Sequence, residues 1–313
     1  MAIYTTYDMQ GLAEDVEDEI YDVSPIDNPI CSMSQTLAAT ARKHEWQEDD
    51  LAAIKKNAKI EGAAAGADTS TATTIKDANC QIFAEVAEIS RTSERVRKYG
   101  RASEMNYQVY KRKLEMIRDE ESAVSGGAGG TGRQAGSAGA GATPGPAAAR
   151  ELTSIYSQVA AGNIVDAIAA ADVAALEVLL LSMLQATYSA GGNPGYLVTD
   201  EVSGGYFPKF TLAAGRTRDV EGSTLYNAID LYVSQWGTYD VVMSRSMAQV
   251  ATENAIIAFD PEFAATPVLD PTHDYALAKV GDSDRRQVIR ESTFAVLNSN
   301  AHGILDNVQV GLA

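Results

Sequence analysis

The glycine run from 127 to 132 is the first candidate for chemistry, because Gly127-Ala128-Gly129-Gly130-Thr131-Gly132 has the spacing of a dinucleotide-binding loop. Such a loop binds a pyrophosphate through backbone N–H groups when a strand precedes it and a helix begins after it. Here a charged helical segment precedes the run, and more glycine and alanine follow. The match therefore indicates a chance occurrence in a Gly-rich stretch, and a nucleotide-binding enzyme that uses Gly127–Gly132 is only an alternative.

Histidine and cysteine, common metal ligands and nucleophiles, are few and are spaced unfavourably for catalysis. His44, His273 and His302 have no partner at helical spacing, and no Gly-x-Ser-x-Gly elbow occurs for a serine nucleophile. Cys31 and Cys80 are better explained as small packing residues than as nucleophiles. We therefore expect a protein that is not an enzyme, with no catalytic residues, no cofactor and no metal site.

The charge balance excludes several classes of partner. The 313 residues contain 25 Lys and Arg against 42 Asp and Glu, which gives a net charge of −17. Tight groove binding of nucleic acid and docking on an anionic membrane both need basic surfaces, so neither is expected. Two cysteines cannot build a disulfide framework, and no apolar export signal follows Met1. The sequence predicts an acidic, soluble protein that is made in the cytoplasm.

Two long helices are predicted from the spacing of apolar residues. The first runs from Arg101 to Val124 over about 35 Å, and its spacing predicts a buried seam made of Tyr107, Tyr110, Leu114, Ile117 and Val124. The second begins after the capping residue Asp172 and ends at Gly191-Gly192. It is apolar on most faces, so we expect it at the centre of a second domain. Asp172 and Glu177 exclude a membrane-spanning helix in this stretch.

A long hairpin is predicted between Leu37 and Ile89. Its arms are strand-like segments on either side of a tip, Gly62 to Thr74, that contains no large side chain. A two-stranded hairpin without its own core is barely stable in isolation, so it must lie on another surface. We expect it to lie across an adjacent subunit, with Trp46 as an aromatic anchor in a pocket there.

Further strands and two loosely packed segments complete the predicted organisation. Strand pairs are predicted around Trp236-Gly237-Thr238 and around the charged turn at 281–284. Residues 125–149 are almost wholly Gly, Ala, Ser, Thr and Pro, a composition that is typical of a flexible loop. The acidic first thirty residues are predicted to contain one short amphipathic helix, with a thin apolar stripe of Leu12, Val16, Ile20 and Val23.

These elements indicate a subunit that completes its fold against copies of itself. An arm and a hairpin without a local core obtain their burial from neighbouring subunits, as in large obligate interfaces. An acidic surface-layer or fibre protein is an alternative of another class, and the missing export signal argues against it.

Nine short segments stand in a specific order along nearly the whole chain. They are Tyr21–Pro29, His44–Gln47, Leu51–Ala53, Ala58–Gly62, Arg97–Glu104, Gly191–Pro194, Trp236–Val242, Leu277–Gln287 and Asn300–Gly303. Their order resembles the major capsid proteins of tailed double-stranded-DNA phages, in particular the SU10-like family with the HK97 fold. The Gly- and Ala-rich loop at 125–149 and the Ala-rich stretch at 160–175 depart from the family pattern.

The resemblance implies an α+β fold of the HK97 type in five parts. They are an N-terminal arm at 1–36, an extended hairpin called the E-loop at 37–92, a peripheral P-domain with a long spine helix and the Gly/Ala-rich loop at 93–150, an axial A-domain at 151–245, and a return to the P-domain and C-terminus at 246–313. It also implies self-assembly into hexamers and pentamers that form an icosahedral head around a double-stranded DNA genome. An encapsulin-like compartment of the same fold, enclosing protein cargo, is the nearest alternative.

The partners and location follow from the same resemblance. Other copies of the chain are the main partner, with scaffold, portal and cement or decoration proteins as further candidates. Packaged DNA is expected to make only loose, non-specific contacts, since an acidic shell repels it, and no membrane is involved. The expected location is the virion capsid, assembled in the cytoplasm of the bacterial host.

Eight residues of the hairpin, the matched segments and the charged turn are candidates for contacts between subunits. They are Trp46, Glu61, Arg101, Glu104, Asp282, Asp284, Arg285 and Arg286. For the turn, we expect Arg285 or Arg286 to reach carboxylates of a neighbouring subunit.

Overall fold

The computed structural model describes residues 24, 27–52, 54–62, 64, 66, 70–126, 149–210, 231–247, 254–308 and 311. The predicted helix of the N-terminal arm, the Gly127–Gly132 run and nearly all of the Gly/Ala-rich loop lie outside these ranges.

The described residues form a mixed α+β fold. Its helices are α1 (Pro29–Met33), α2 (Arg91–Arg95), α3 (Glu104–Ser125), α4 (Ile155–Gln158), α5 (Val173–Ser189) and α6 (Glu201–Gly204). Its strands are β1 (Gln35–Ala38), β2 (Lys43–Glu48), β3 (Thr74–Asn79), β4 (Gln81–Ser90), β5 (Ile164–Asp166), β6 (Tyr196–Thr199), β7 (Leu231–Ser234), β8 (Gly237–Met243), β9 (Asn254–Phe259), β10 (Ala264–Ala276), β11 (Ser283–Ser292), β12 (Ala295–Val296) and β13 (Gly303–Val308).

The first sheet has the order β1-β10-β11-β4, with β12 paired to β10. Strands β4 and β11 pair antiparallel over ten residues, from Gln81 opposite Ser292 to Ser90 opposite Ser283. The structure therefore differs from the predicted hairpin at 37–92, because its second arm, Gln81–Ile89, belongs to this sheet. Partners about 200 positions apart in the chain leave no local signal of their pairing.

Helix α3 packs on the first sheet and matches the predicted long helix closely. The Ser103 hydroxyl accepts a hydrogen bond from the Asn106 N–H at the start, and Gly126 adopts a left-handed conformation at the end. The predicted seam is wrong at most of its positions, although Val124 is fully buried as expected. Tyr110 is exposed and Leu114 and Ile117 are only half-buried, whereas the buried face consists of Glu104, Val109, Met116, Glu120, Glu121, Ala123, Val124 and Ser125. The physical reason is that glutamates of α3 are buried where polar groups of the packed elements bind them. A prediction based on apolar residues alone cannot identify such positions.

The second sheet has the order β5-β13-β9-β6-β8-β7, and α5 packs against it. The predicted cap is confirmed, since Asp172 Oδ1 accepts a hydrogen bond from the Ala175 N–H at 2.7 Å. Leu176, Leu180 and Met183 of α5 are fully buried in the core of this sheet. Residues 246–313 were expected only to return to the P-domain and form the C-terminus. They supply β9 and β13 of the second sheet as well as β10 to β12 of the first sheet.

A separate two-stranded sheet forms the base of the hairpin. Strands β2 and β3 pair antiparallel from Lys43 opposite Asn79 to Glu48 opposite Thr74. None of the described residues between these strands, 49–52, 54–62, 64, 66 and 70–73, lies in a helix or a strand. The extended part of the hairpin is therefore the stretch from residue 43 to residue 79.

Candidate assembly surfaces

The base of the hairpin is fixed to the body of its own subunit through Glu48. This buried carboxylate accepts hydrogen bonds from both the backbone N–H and the hydroxyl of Ser299, the latter at 2.6 Å. Lys76 on β3 lies 3.4 Å from the second carboxylate oxygen. Burial opposes ionisation of Glu48, but the hydrogen bonds from Ser299 and the charge of Lys76 outweigh it and lower the pKa of the carboxyl. The hairpin thus leaves the body from a defined point.

Beyond this point the hairpin presents bare apolar side chains. Leu51, Ile54 and Ile60 are each at least 84% exposed. Glu61, one of the predicted contact residues, is exposed beside them. Three large aliphatic residues on one extended loop are an unusual surface for an isolated monomer, and such surfaces typically mark contacts with another molecule.

Trp46 lies at the base of the hairpin and is half-buried in its own subunit. Its ring stacks on His44, with 6.0 Å between the ring centroids. Its indole N–H is buried, and no described residue accepts a hydrogen bond from it. The subunit alone therefore covers much of this ring, and insertion of Trp46 into a pocket of a neighbour stays a prediction.

A second apolar surface lies on the first sheet, on the face away from α3. Side chains alternate along β4, so Phe83, Ala87 and Ile89 are buried while Ile82 and Val86 are exposed. Tyr275 on β10 is also exposed, and its hydroxyl donates a hydrogen bond to Gln287 of β11. Within the part of the chain that the structure describes, this face remains open to solvent.

The predicted residues of the charged turn all find carboxylate or cationic partners inside their own chain. The pairs are Arg91 with Asp282 (2.7 Å), Lys279 with Asp284 (2.5 Å), Arg285 with Glu88 (3.3 Å) and Arg286 with Asp274 (2.9 Å). A hydrogen bond from Lys113, at 2.8 Å, is the main cause of the lowered pKa of the Asp274 carboxyl. The geometry gives these residues a role within the subunit, and their contacts with neighbours stay a prediction.

Arg101 and Glu104 also bind each other, at the start of α3. The Arg101 Nε donates to a Glu104 oxygen, and its guanidinium lies 5.1 Å from the centroid of the Tyr107 ring. The other Glu104 oxygen accepts a hydrogen bond from Gln108 at 2.9 Å. These two residues therefore stabilise the first turn of the helix, and their predicted contacts with a neighbouring subunit stay a prediction.

Buried acids that connect distant segments were not predicted from the sequence, chiefly Glu48, Glu120 and Glu121. Glu120 accepts hydrogen bonds from Ser292 and Arg290 on β11, and Glu121 from backbone N–H groups of α1. The charged segment at 118–121 looks like a solvated flank in the sequence, and no local signal distinguishes these glutamates from exposed ones.

Neither metal-binding nor membrane features emerge from the described residues. Within the ranges given above, no three His, Cys, Asp or Glu side chains are grouped so that they could hold a metal ion. None of the helices that the structure describes is both long and apolar enough to cross a bilayer.

Comparison with known proteins gives the decisive observation. The sequence profile of the SU10 major capsid protein family matches residues 3–309. The chain belongs to the SU10 major capsid protein family. A curated relative, the major capsid protein of Escherichia phage Phieco32, is 32% identical over 126 residues, which cover 40% of this chain. The match spans about a third (36%) of that relative's own length.

Solved structures place this SU10-family chain in the HK97 fold of phage capsids and encapsulins. The capsid of a native GTA particle has a TM-score of 0.66 and 13% identity, over 97% of this chain and 98% of its own. An encapsulin from Synechococcus elongatus PCC 7942, in the holo-SrpI complex, has a TM-score of 0.62 and 10% identity, over 99% and 98%. Mycobacterium phage Che8 has a TM-score of 0.60 and 13% identity, over 95% and 97%. Both the predicted family and the predicted α+β HK97 fold are confirmed.

Proposed function

We propose that this protein is the major capsid protein of a tailed double-stranded-DNA phage and that it assembles into hexamers and pentamers of an icosahedral head. The observation that carries the proposal is the hairpin: Glu48 fixes its base to the body, and the large aliphatic side chains of its loop are exposed to solvent. Burying a Leu or Ile side chain contributes about 1.5–3 kcal/mol, and Leu51, Ile54 and Ile60 obtain none of this in the isolated subunit. A neighbouring copy that covers them gains that stabilisation at every subunit of the shell.

The five-part division remains part of this proposal, with the hairpin redefined by its pairing. The arm comprises residues 1–36 and the E-loop residues 43–79. The P-domain is built on the first sheet with α3, and the A-domain on the second sheet with α5. Strands β9 and β13 tie the last part of the chain to the A-domain.

The net charge of −17 fits a shell that encloses DNA without binding it tightly. Acidic side chains of the shell repel DNA phosphates, and at physiological salt this repulsion acts over a Debye length of about 8 Å. DNA that touches the shell therefore makes only loose contacts and stays mobile. Scaffold, portal and cement proteins are the further partners of such a shell, and the bacterial cytoplasm is its place of assembly.

An encapsulin-like compartment is the second candidate, favoured by the full-length structural likeness to the holo-SrpI encapsulin. At 10% identity this likeness concerns the fold alone, whereas the family match over residues 3–309 favours a phage capsid.

Negative-stain electron microscopy of the purified full-length chain tests the assembly proposal. We expect closed particles of uniform diameter, or hexameric and pentameric capsomers that close when a scaffold is supplied. A chain that stays monomeric at high concentration, with and without such a partner, would contradict the proposal. Particles that contain protein cargo and no nucleic acid after production in infected cells would favour the encapsulin alternative.

A further inference from the structure

A buried carboxylate of α3 contacts the start of α1, next to the Ile30 side chain that packs in the hydrophobic core. Glu121 on α3 is fully buried. Its Oε1 accepts a hydrogen bond from the Ile30 N–H and its Oε2 one from the Cys31 N–H, both at 2.9 Å. Both donors belong to α1, which lies ninety positions earlier in the chain.

Helix α1 cannot satisfy these donors by itself. The residue before it, Asn28, makes no side-chain capping hydrogen bond. Pro29 occupies the first position and has no N–H, so Ile30 and Cys31 carry the first free donors of the helix. A five-residue helix is unstable alone, and Glu121 supplies from α3 the capping group that the arm lacks.

Glu121 depends on α1 in the same way. Burial raises the pKa of its carboxyl, and the charge of the adjacent Glu120 adds to this, while the two hydrogen bonds from α1 act in the opposite direction. An ionised carboxylate in this position without those donors would be strongly destabilised. Each side of the contact therefore requires the other.

The remaining attachment just before α1 is more exposed. Asp27 forms an ion pair with Arg245 at 3.1 Å, with both side chains substantially exposed, and its carbonyl accepts a hydrogen bond from Ser246. Exposed ion pairs contribute little to stability. After α1, the Ser34 hydroxyl bonds to that of Thr266, and β1 pairs with β10. Glu121 thus holds the start of α1, and the buried contact of Ser34 with Thr266 holds the end of the helix before β1.

We propose that Glu121 is a positioning residue for α1: by capping this helix from α3 it fixes residues 27–34 on the body, and assembly with a second copy of the chain depends on that placement. This inference rests on the proposed capsid function, because the second copy is the partner. Loss of the Glu121 contact would leave β4, β10 and β11 paired and would affect α1 and assembly.

Glu120 provides a matched control on the same helix. It is also buried, but it accepts hydrogen bonds from the Ser292 hydroxyl at 2.6 Å and from Arg290 at 3.1 Å, both on β11. Glu120→Gln and Glu121→Gln thus make the same chemical change at neighbouring positions that contact different elements.

Hydrogen–deuterium exchange on unassembled full-length subunits separates the two roles. We expect Glu121→Gln to speed exchange of the Ile30 and Cys31 amides at least tenfold, with peptides of β11 unchanged. Glu120→Gln should speed exchange in β11 and leave α1 unchanged. We further expect the yield of closed particles to fall at least fivefold more in Glu121→Gln than in Glu120→Gln at equal protein concentration.

Three results would overturn the proposal: unchanged exchange in α1 of Glu121→Gln, identical exchange patterns in the two variants, or equal particle yields. If Glu121→Gln is insoluble, Glu121→Asp takes its place, because it keeps the charge but shortens the reach. Insolubility of both would assign Glu121 to the core of the subunit and contradict an arm-specific role. Exchange in the separated subunit does not depend on shell formation, so failure of the wild type to assemble would instead refute the proposed function.

Discussion

Glu48 at the end of β2 holds Ser299, which lies 251 positions later in the chain, by accepting both its backbone N–H and its hydroxyl. The contact fixes the base of the hairpin to a segment near the C-terminal end of the described chain. Among the described residues between Glu48 and Thr74, the large aliphatic side chains Leu51, Ile54 and Ile60 are at least 84% exposed. A rigid base with an uncovered loop is suited to reaching a neighbour in a defined direction.

Removal of the Glu48 charge should loosen the hairpin base. Glu48→Gln keeps the size of the side chain but replaces charge-assisted hydrogen bonds, which contribute about 1.5–3 kcal/mol. The pKa of Glu48 in the folded protein is lower than its ordinary value. The carboxylate therefore contributes its full stabilisation when the pH is above the ordinary pKa, and this stabilisation is lost as the pH falls through the folded-state pKa. Exchange of the β2 and β3 amides should therefore increase in Glu48→Gln, and acidification should have the same effect on the wild type.

Glu45→Gln on β2 is the control, because this exposed residue forms an ion pair with Lys43 on its own strand and, among the described residues, has no contact with Ser299. Equal exchange of the β2 and β3 amides in Glu48→Gln and Glu45→Gln would contradict the role of Glu48 in fixing the base of the hairpin.

The corrected seam of α3 predicts which truncation damages the core. Met116 is buried, with 2% exposed, so Met116→Ala should lower the free energy of unfolding by about 2–5 kcal/mol. Leu114 is only half-buried, and Leu114→Ala should cost less than half as much. Chemical denaturation of unassembled subunits measures both, and a larger loss for Leu114→Ala would restore the seam predicted from the sequence.

Local sequence signals were sufficient for the parts of the fold that are determined locally. Asp172 and Gly191 delimit α5, the predicted helix from Arg101 to Val124 differs from α3 by three residues at its start and one at its end, and Trp236 stands at the turn between β7 and β8. Parts determined by distant contacts were not predictable. One example is the pairing of β4 with β11. Another is the set of glutamates that cap or bind remote elements, because they are buried although charged side chains usually face water. The pairing of the turn residues inside their own chain belongs to the same class.

His302 should make the subunit sensitive to mild acid. It is fully buried, its Nδ1 accepts a hydrogen bond from the Asp260 N–H, and its Nε2–H faces the Phe263 carbonyl. Burial lowers the pKa of His302 to about 4. Below the ordinary value of about 6.5 the unfolded chain binds a proton that the folded chain does not, so stability falls by roughly 1.4 kcal/mol per pH unit until the pH reaches the folded-state value.

Denaturation of unassembled subunits between pH 7 and pH 4.5 checks this slope against His302→Gln, which cannot take up the proton. The variant should lose less stability over this range than the wild type. Parallel pH profiles would show that His302 is not the titrating group.

The charged turn can be tested for contacts beyond its own chain. Arg285→Ala with Arg286→Ala removes both guanidinium groups, and Glu88→Gln with Asp274→Asn removes their partners within the subunit. If the arginines also bind a neighbour, the first double variant should remain folded yet assemble less well than the second. Equal particle yields from the two double variants would show that Arg285 and Arg286 act only through the ion pairs within their own subunit.

The most direct measurement compares particles formed by the wild type with those of a chain that lacks the exposed part of the hairpin. Deletion of residues 51–72 with a short Gly-Ser bridge keeps β2, β3 and the contact of Glu48 with Ser299. Electron microscopy and sedimentation velocity should show closed shells for the wild type, and soluble monomers or capsomers with native-like circular dichroism for the deletion. Intact shells from the deletion would contradict the central claim that the bare loop holds the shell together.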